Sequence, residues 1–333
     1  MKNEALNLNK DIFTEKMEKI STREGYGKGL LEAGERDDRV VLLSADLTES
    51  TKGDLFRERF PDRFVQVGVA EQNLATVASG MASMGKIPFA NSYAVFSPGR
   101  NWEQIRTTVC YNNQPVKIVG SHAGVSVGPD GGTHQALEDI AIMRVLPNMR
   151  VISPCDFREA YKATLAMATI DSPFYMRLCR EKTPVITSES TSFEVGKAVI
   201  FYGDSDSDAD VGIIATGPLV YESMEVAKKL EFEKNIKVKV LNLSTIKPLD
   251  EDAVATLATQ TRALVTVEEH QIYGGMGSAV SEFLAQTLPT PMESVGVRDS
   301  FGESGEADEL LKKFGMSKES IEEAVERVLK RKE

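Results

Sequence analysis

Short apolar, β-branched runs at 40–43, 64–67, 87–90, 116–119, 150–152 and 174–176 alternate with amphipathic stretches at 22–34, 71–84, 101–112, 135–146 and 156–169. That alternation constrains the fold more than any other feature, because helices between strands let the strands pair in parallel under cover on both faces. A polar, proline-containing stretch at 181–192 reads as a linker. A second series then begins, with strands predicted at 210–215, 238–243, 263–267 and 294–297. Its helices are predicted at 219–232, 251–259, 278–288 and 317–331, the last with Ser317 as N-cap. The expected fold is α/β: two successive α/β domains with mainly parallel sheets, at 15–187 and 193–333. The length of 333 residues, too great for one typical core, agrees with two domains. No internal repeat is visible.

A formal charge of −11 argues against a broad nucleic-acid surface, which needs a basic footprint. A few arginines in a cleft can still attract a small anion. Cys110, Cys155 and Cys179 lie far apart without CxxC spacing, so neither a disulfide framework nor a zinc site is expected, and a reducing cytoplasm is the natural compartment. Residues 1–19 lack the apolar segment of a signal peptide, and no apolar run reaches the ~20 residues that span a bilayer. The alternating acids at 204–210 lack the glycine and the final acid of a calcium loop and read as a solvated turn. Gly-Gly-Met-Gly-Ser-Ala at 274–279 lacks the third glycine of a dinucleotide turn, since Val280 stands there, and reads as a helix start.

Two of the three histidines, His122 and His134, bracket the glycine-rich stretch that follows the strand at 116–119, with Asp130 between them. Histidine moves protons near neutral pH, and a loop at the carboxyl end of such a strand is where open α/β sheets bind ligands. Glycines easing a turn between ordinary histidines would give the same letters. Glu71 opens a helix of small residues directly after a strand. The helix dipole alone favours an acid there, but close packing of the small face would carry it into a dry pocket and raise its pKa. Tyr93 and Phe96 follow the strand at 87–90, where their rings serve either as filler or as a stacking surface for a flat heterocycle. Arg23, Arg100, Arg177 and Arg180 are the arginines with cleft potential, although single arginines more often form surface ion pairs.

Four segments stand in order: Ser-Ala-Asp-Leu-Thr-Glu-Ser at 44–50, Gly-Val-Ala-Glu-Gln-Asn at 68–73, His122 through Gly-Pro-Asp-Gly-Gly-Thr-His at 128–134, and Val-Glu-Glu-His at 267–270. In order and spacing they resemble the C-terminal half of transketolase, its pyrimidine-binding domain followed by its small C-terminal domain. The resemblance runs from about residue 15 to the end. It implies thiamine diphosphate as cofactor, with Glu71 hydrogen-bonded to N1′ of the aminopyrimidine so that the ring can accept the thiazolium C2 proton. Phe96 and Tyr93 would stack on that ring, and Gln104, with Trp102, would line the pocket. His122 and His134 would bind sugar hydroxyls and shuttle protons, and Asp130 would read hydroxyl configuration. Arg23, Ser50 and Arg180 would hold the substrate phosphate, a task for which the arginine fork is suited; between Arg177 and Arg180, the latter is preferred.

The chain departs from the family in two places. Ser-Pro-Gly-Arg at 97–100 stands where full-length members often carry a further aromatic. No Gly-Asp-Gly occurs, although family members use a Gly-Asp-Gly…Asn motif in a separate N-terminal domain to hold the diphosphate and its Mg2+. The resemblance therefore implies one subunit of a split enzyme: an N-terminal transketolase subunit would supply the Mg2+ ligands, in an α2β2 assembly acting on sugar phosphates, with neither nucleic acid nor membrane as partner. The alternatives are the corresponding half of deoxyxylulose-phosphate synthase, the β subunit of 2-oxoacid dehydrogenases, or a non-catalytic stabilising subunit. His270 is expected to be structural.

Overall fold

A computed structural model describes residues 6–332. The strands are β1 (Lys19–Ser21), β2 (Val40–Ser44), β3 (Phe64–Gln66), β4 (Ile87–Tyr93), β5 (Lys117–Ser121), β6 (Arg150–Ile152), β7 (Phe174–Arg177), β8 (Lys182–Pro184), β9 (Val199–Tyr202), β10 (Val211–Ala215), β11 (Val238–Asn242), β12 (Thr245–Lys247), β13 (Leu264–Gln271) and β14 (Met292–Val297). The helices in the first half are α1 (Thr22–Arg36), α2 (Asp54–Arg59), α3 (Glu71–Ser83), α4 (Trp102–Gln104), α5 (Asp139–Arg144) and α6 (Phe157–Thr169). The second half adds α7 (Leu219–Lys234), α8 (Glu251–Thr261), α9 (Met276–Thr287), α10 (Ala307–Lys313) and α11 (Lys318–Lys332). Residues 1–5, part of the segment read for a signal peptide, lie outside the described residues. Among those described, no helix is long and apolar enough to cross a membrane.

Two α/β units with mainly parallel sheets result, as the alternation predicts. The first sheet runs β12-β6-β7-β5-β4-β2-β3, parallel throughout except for β12. The second runs β14-β13-β10-β11-β9, with only β9 antiparallel. Strands β2, β5, β7, β10 and β11 are buried at every residue, which is why they read as mostly apolar rather than alternating, with Lys117, Arg177 and Lys239 as the charged exceptions. Helices α1 and α6 pack so closely that a Cβ on Gly25 would lie 2.0 Å from the carbonyl oxygen of Phe157. On α11, the Ser317 hydroxyl accepts from the Ser320 amide, giving the cap that the sequence signals.

Four details differ from the sequence reading. The stretch 181–192 contains β8, which pairs antiparallel with β1 instead of hanging free. β12 comes from beyond that stretch yet adds to the first sheet, so one strand joins the two halves. The helix predicted over 101–112 is α-helical only in α4 and continues as a π-helical turn at Ile105–Cys110. The helix predicted over 135–146 starts at Asp139, because Gln135 and Ala136 are engaged by the preceding loop.

A buried ion pair in the first half is anchored to the second by a backbone hydrogen bond. Arg177 Nε donates to Asp139 Oδ2 at 2.9 Å, and Tyr175 donates its hydroxyl to the same oxygen at 2.7 Å. Arg177 also donates to the Glu269 carbonyl on β13 at 2.6 Å, while the Glu269 carboxylate accepts from the Ser126 amide. His270 is buried in the same seam, donating from Nδ1 to Gln271 and accepting from the Ala141 amide. Breaking one member of a buried pair strands its partner's charge. Arg177→Ala is therefore expected to destabilise the chain by about 3–5 kcal/mol in chemical denaturation, whereas Arg180→Ala, removing a side chain that reaches solvent, costs markedly less.

Candidate active site

Glu71 is the first residue of α3, and its side chain is 1% exposed. Burial follows from the helix composition: Ala75, Ala78 and Ala82 present no bulk, and Ser79 donates to the Thr108 carbonyl of the π turn. Two residues shortly after Phe96, Arg100 and Asn101, hold this acid. Asn101 donates to the Glu71 carbonyl at 2.8 Å and to Ser97 Oγ at 3.1 Å. Arg100 donates to Glu71 Oε2 at 2.9 Å, although the Arg100 side chain is 51% exposed. The Arg100 guanidinium lies 4.4 Å from the centre of the Phe96 ring, and Phe96 is nearly parallel to Tyr93.

His122 follows β5 with φ +56°, a left-handed conformation that turns its ring onto Tyr93 at 3.8 Å between centroids. Its Nε2 lies 3.5 Å from an Nη of Arg23, and its Nδ1 is 2.9 Å from Ser121 Oγ. Arginine only donates, so Nε2 is assigned as acceptor and Nδ1–H as donor to Ser121. Burial, reinforced by Arg23, Arg180 and His134, pushes the His122 pKa down to about 3. The ring is thus neutral at physiological pH. His134 stands edge-on to Phe96 at 5.4 Å and to Tyr93 at 6.3 Å, with Nδ1 2.9 Å from Thr133 Oγ1. Arg23 is aimed by two backbone acceptors, the carbonyls of Ser50 at 2.6 Å and Arg180 at 2.9 Å.

The loop between the histidines is gripped from both domains. Gln135 Nε2 reaches the carbonyls of Val125, Gly128 and Glu303 at 2.9–3.3 Å. Gly124 has φ +90°, and a Cβ there would lie 2.2 Å from the Glu269 carboxylate, so only glycine fits.

The structure thus brings Arg23, Tyr93, Phe96, His122 and His134 into one group, joined to Glu71 through Arg100. Ser50 and Arg180 meet the group through their backbone carbonyls. Asp130 is exposed on the same loop. Gln104 turns its amide to the Glu103 carboxylate, and Trp102 donates to the Ile142 carbonyl, so neither side chain bonds to the group. Arg177 is spent on Asp139. The residues that sequence reasoning missed are Asn101, Ser121 and Gln135; each neighbours a singled-out residue, which was the one available signal. Arg100 was noted as a cleft arginine but not as the partner of Glu71. Among the described residues, no three His, Cys, Asp or Glu side chains converge to hold a metal.

A model of the transketolase pyrimidine binding domain matches residues 18–185, and one of the transketolase C-terminal domain matches 204–321. A Methanocaldococcus jannaschii protein provisionally named a transketolase C-terminal section is 42% identical over 312 residues, spanning 93% of this chain and 96% of that one. The 6-deoxy-6-sulfo-D-fructose transketolase subunit of a Clostridium species is 41% identical over 320 residues, spanning 96% and 98%. A split-gene transketolase solved as an inactive β4 tetramer superposes with a TM-score of 0.87 at 42% identity, covering 94% of this chain and all of that one. The chain belongs to the transketolase family, and its two α/β units are the pyrimidine-binding and C-terminal domains of that family.

If His122 is held neutral as its surroundings dictate, 15N NMR at pH 5.5 should show its ring still uncharged, the signal being identified by its loss in His122→Gln. A neutral buried histidine opposes folding where the unfolded ring is charged. Between about pH 6.5 and 3 the unfolded state binds the extra proton, so stability falls as pH falls, by up to about 1.4 kcal/mol per pH unit. His122→Gln should remove that part of the slope.

Proposed function

We propose that this chain is the C-terminal subunit of a split transketolase, moving a two-carbon ketol unit from a ketose phosphate to an aldose phosphate. The observation that carries the reading is the convergence of a buried helix-opening acid, a pair of parallel aromatic rings and two histidines beside an oriented arginine, all at the carboxyl edge of one parallel sheet. Thiamine diphosphate, when bound, supplies the electron sink for breaking and making the carbon–carbon bond. The donor set fits its aminopyrimidine. The Phe96 ring already carries one flat nitrogenous group, the Arg100 guanidinium, whose N–H meets the Glu71 carboxylate.

In this reading Glu71 holds a proton at the pyrimidine N1′, and Phe96 and Tyr93 fix the ring plane, with Gln104 at the pocket's flank. His122, neutral and with Nε2 as acceptor, accepts a hydrogen bond from a sugar hydroxyl, and His134 serves the same hydroxyls from the other side, the two forming the proton shuttle of this reading. Asp130 reads the configuration of the substrate. Arg23, Arg180 and Ser50 hold the terminal anion, and the backbone carbonyls that aim Arg23 leave its positive charge unspent. A relative named for a sulfonated sugar is compatible with such an anion site, since sulfonate and phosphate present similar oxygens. The diphosphate and Mg2+ are assigned to an N-terminal subunit, in an α2β2 assembly in the cytoplasm. That a split-gene relative forms an inactive tetramer of one kind of chain supports the need for a second kind.

The test is a transketolase assay of the chain alone and mixed with an N-terminal transketolase half, with thiamine diphosphate and Mg2+ present. Activity is expected only in the mixture, and Glu71→Gln should lower it roughly 10²- to 10⁴-fold. Turnover by the chain alone would overturn the split assignment. Turnover of pyruvate with glyceraldehyde 3-phosphate in place of xylulose 5-phosphate with ribose 5-phosphate would indicate the synthase alternative. No turnover of either pair, with intact assembly, would leave a stabilising subunit.

A further inference from the structure

We propose that Arg100 is a place-holder for the cofactor ring, closing the Glu71 pocket in the unloaded chain and vacating it when the aminopyrimidine enters. The inference rests on the assignment of Glu71 and Phe96 to the pyrimidine. It starts from an asymmetry: the Glu71 side chain is 1% exposed, yet the side chain that pairs with it is 51% exposed. A buried carboxylate needs a hydrogen-bonding counter-charge, and Arg100 reaches in from the rim to supply it at 2.9 Å.

The manner of reaching matters more than the charge. A guanidinium is flat, with its N–H groups in the plane and its faces free to stack on an aromatic ring. Arg100 uses both properties at once, lying 4.4 Å from the Phe96 ring centre while an in-plane N–H meets Glu71 Oε2. An aminopyrimidine held by the same two residues would make the same pair of contacts, a stacked face and a nitrogen edge on the carboxylate. Phe96 also has Tyr93 parallel to it at 6.1 Å and His134 edge-on at 5.4 Å, so the ring surface that Arg100 covers has little duplicate. Arginine and cofactor ring therefore compete for one place.

Displacing Arg100 is cheap. Its half-exposed head returns to water, and its flexible stem needs no backbone movement. The backbone of the pocket is pinned separately, by Asn101 on the Glu71 carbonyl and on Ser97. What is lost is one partly exposed ion pair and one cation–π contact, which together correspond to roughly three- to thirtyfold in a binding constant.

The chain has a single tryptophan, Trp102, two residues from Arg100. With 5-fluorotryptophan incorporated there, the full chain assembled with an N-terminal transketolase half is titrated with thiamine diphosphate and Mg2+ and followed by 19F NMR. Arg100→Ala and Arg100→Gln are expected to bind the cofactor three- to thirtyfold more tightly than wild type; the glutamine variant retains part of the stem and guards against misfolding. Unchanged or weaker binding in both variants, with wild type binding normally, overturns the place-holder and makes Arg100 an ordinary support. Absence of binding in wild type and variants alike overturns the assignment of the pyrimidine site, and the place-holder with it.

Discussion

The loop that carries both histidines of the site depends on a guanidinium that never reaches it. Arg177, at the end of β7, binds Asp139 at the start of α5 and the Glu269 carbonyl on β13, and so ties the first sheet to the second. An arginine in such a place is tolerable only because its donors are met by a carboxylate and by backbone oxygens. The Glu269 carboxylate is left free to accept from Ser126, and that bond reaches into the loop carrying His122 and His134. The C-terminal domain is therefore part of the mould for this loop rather than an appendage. The requirement for glycine at 124 is the steric trace of that close approach.

The electrostatics of the loop follow from the same economy. Arg23 is oriented by neutral carbonyls, which fix its direction without cancelling its charge. Burial, with cationic neighbours adding to it, keeps His122 uncharged, so its Nε2 retains a lone pair beside a positive centre. A neutral acceptor next to an unneutralised arginine suits a substrate that brings its own anionic end and a hydroxyl to donate. That is what a sugar phosphate brings.

Much of this was legible in the sequence because parallel strands buried on both faces write themselves as apolar runs; β2, β5, β7, β10, β11 and β13 all fell where those runs lie. What was illegible depended on distant partners. β8 is polar and contains a proline, and only its pairing with β1, far away in sequence, makes it a strand. β12 is three residues long and owes its place to β6 in the other domain. Helix α5 begins late because Gln135 spends its amide on three loop carbonyls, a demand that no periodicity encodes. The site residues were legible as candidates, since histidines bracketing glycines and an acid after a strand are unusual. Their partners were not, because a hydrogen bond such as Asn101 to the Glu71 carbonyl leaves no mark on composition.

Glu71 illustrates where sequence reasoning stops. Its position at a helix start follows from the dipole alone, and the small residues behind it explain its burial. Neither fact says how a buried carboxylate is kept satisfied. The answer lies in Ser-Pro-Gly-Arg at 97–100, where the resemblance led one to expect another aromatic. A second ring there would add stacking surface but offer the carboxylate no charge-assisted donor. An arginine provides the donor and a flat face together, so the buried carboxylate of Glu71 is met by an ion pair whose cation also lies over Phe96. The stretch that departs from the resemblance is thus the one that supplies the counter-charge of the buried acid.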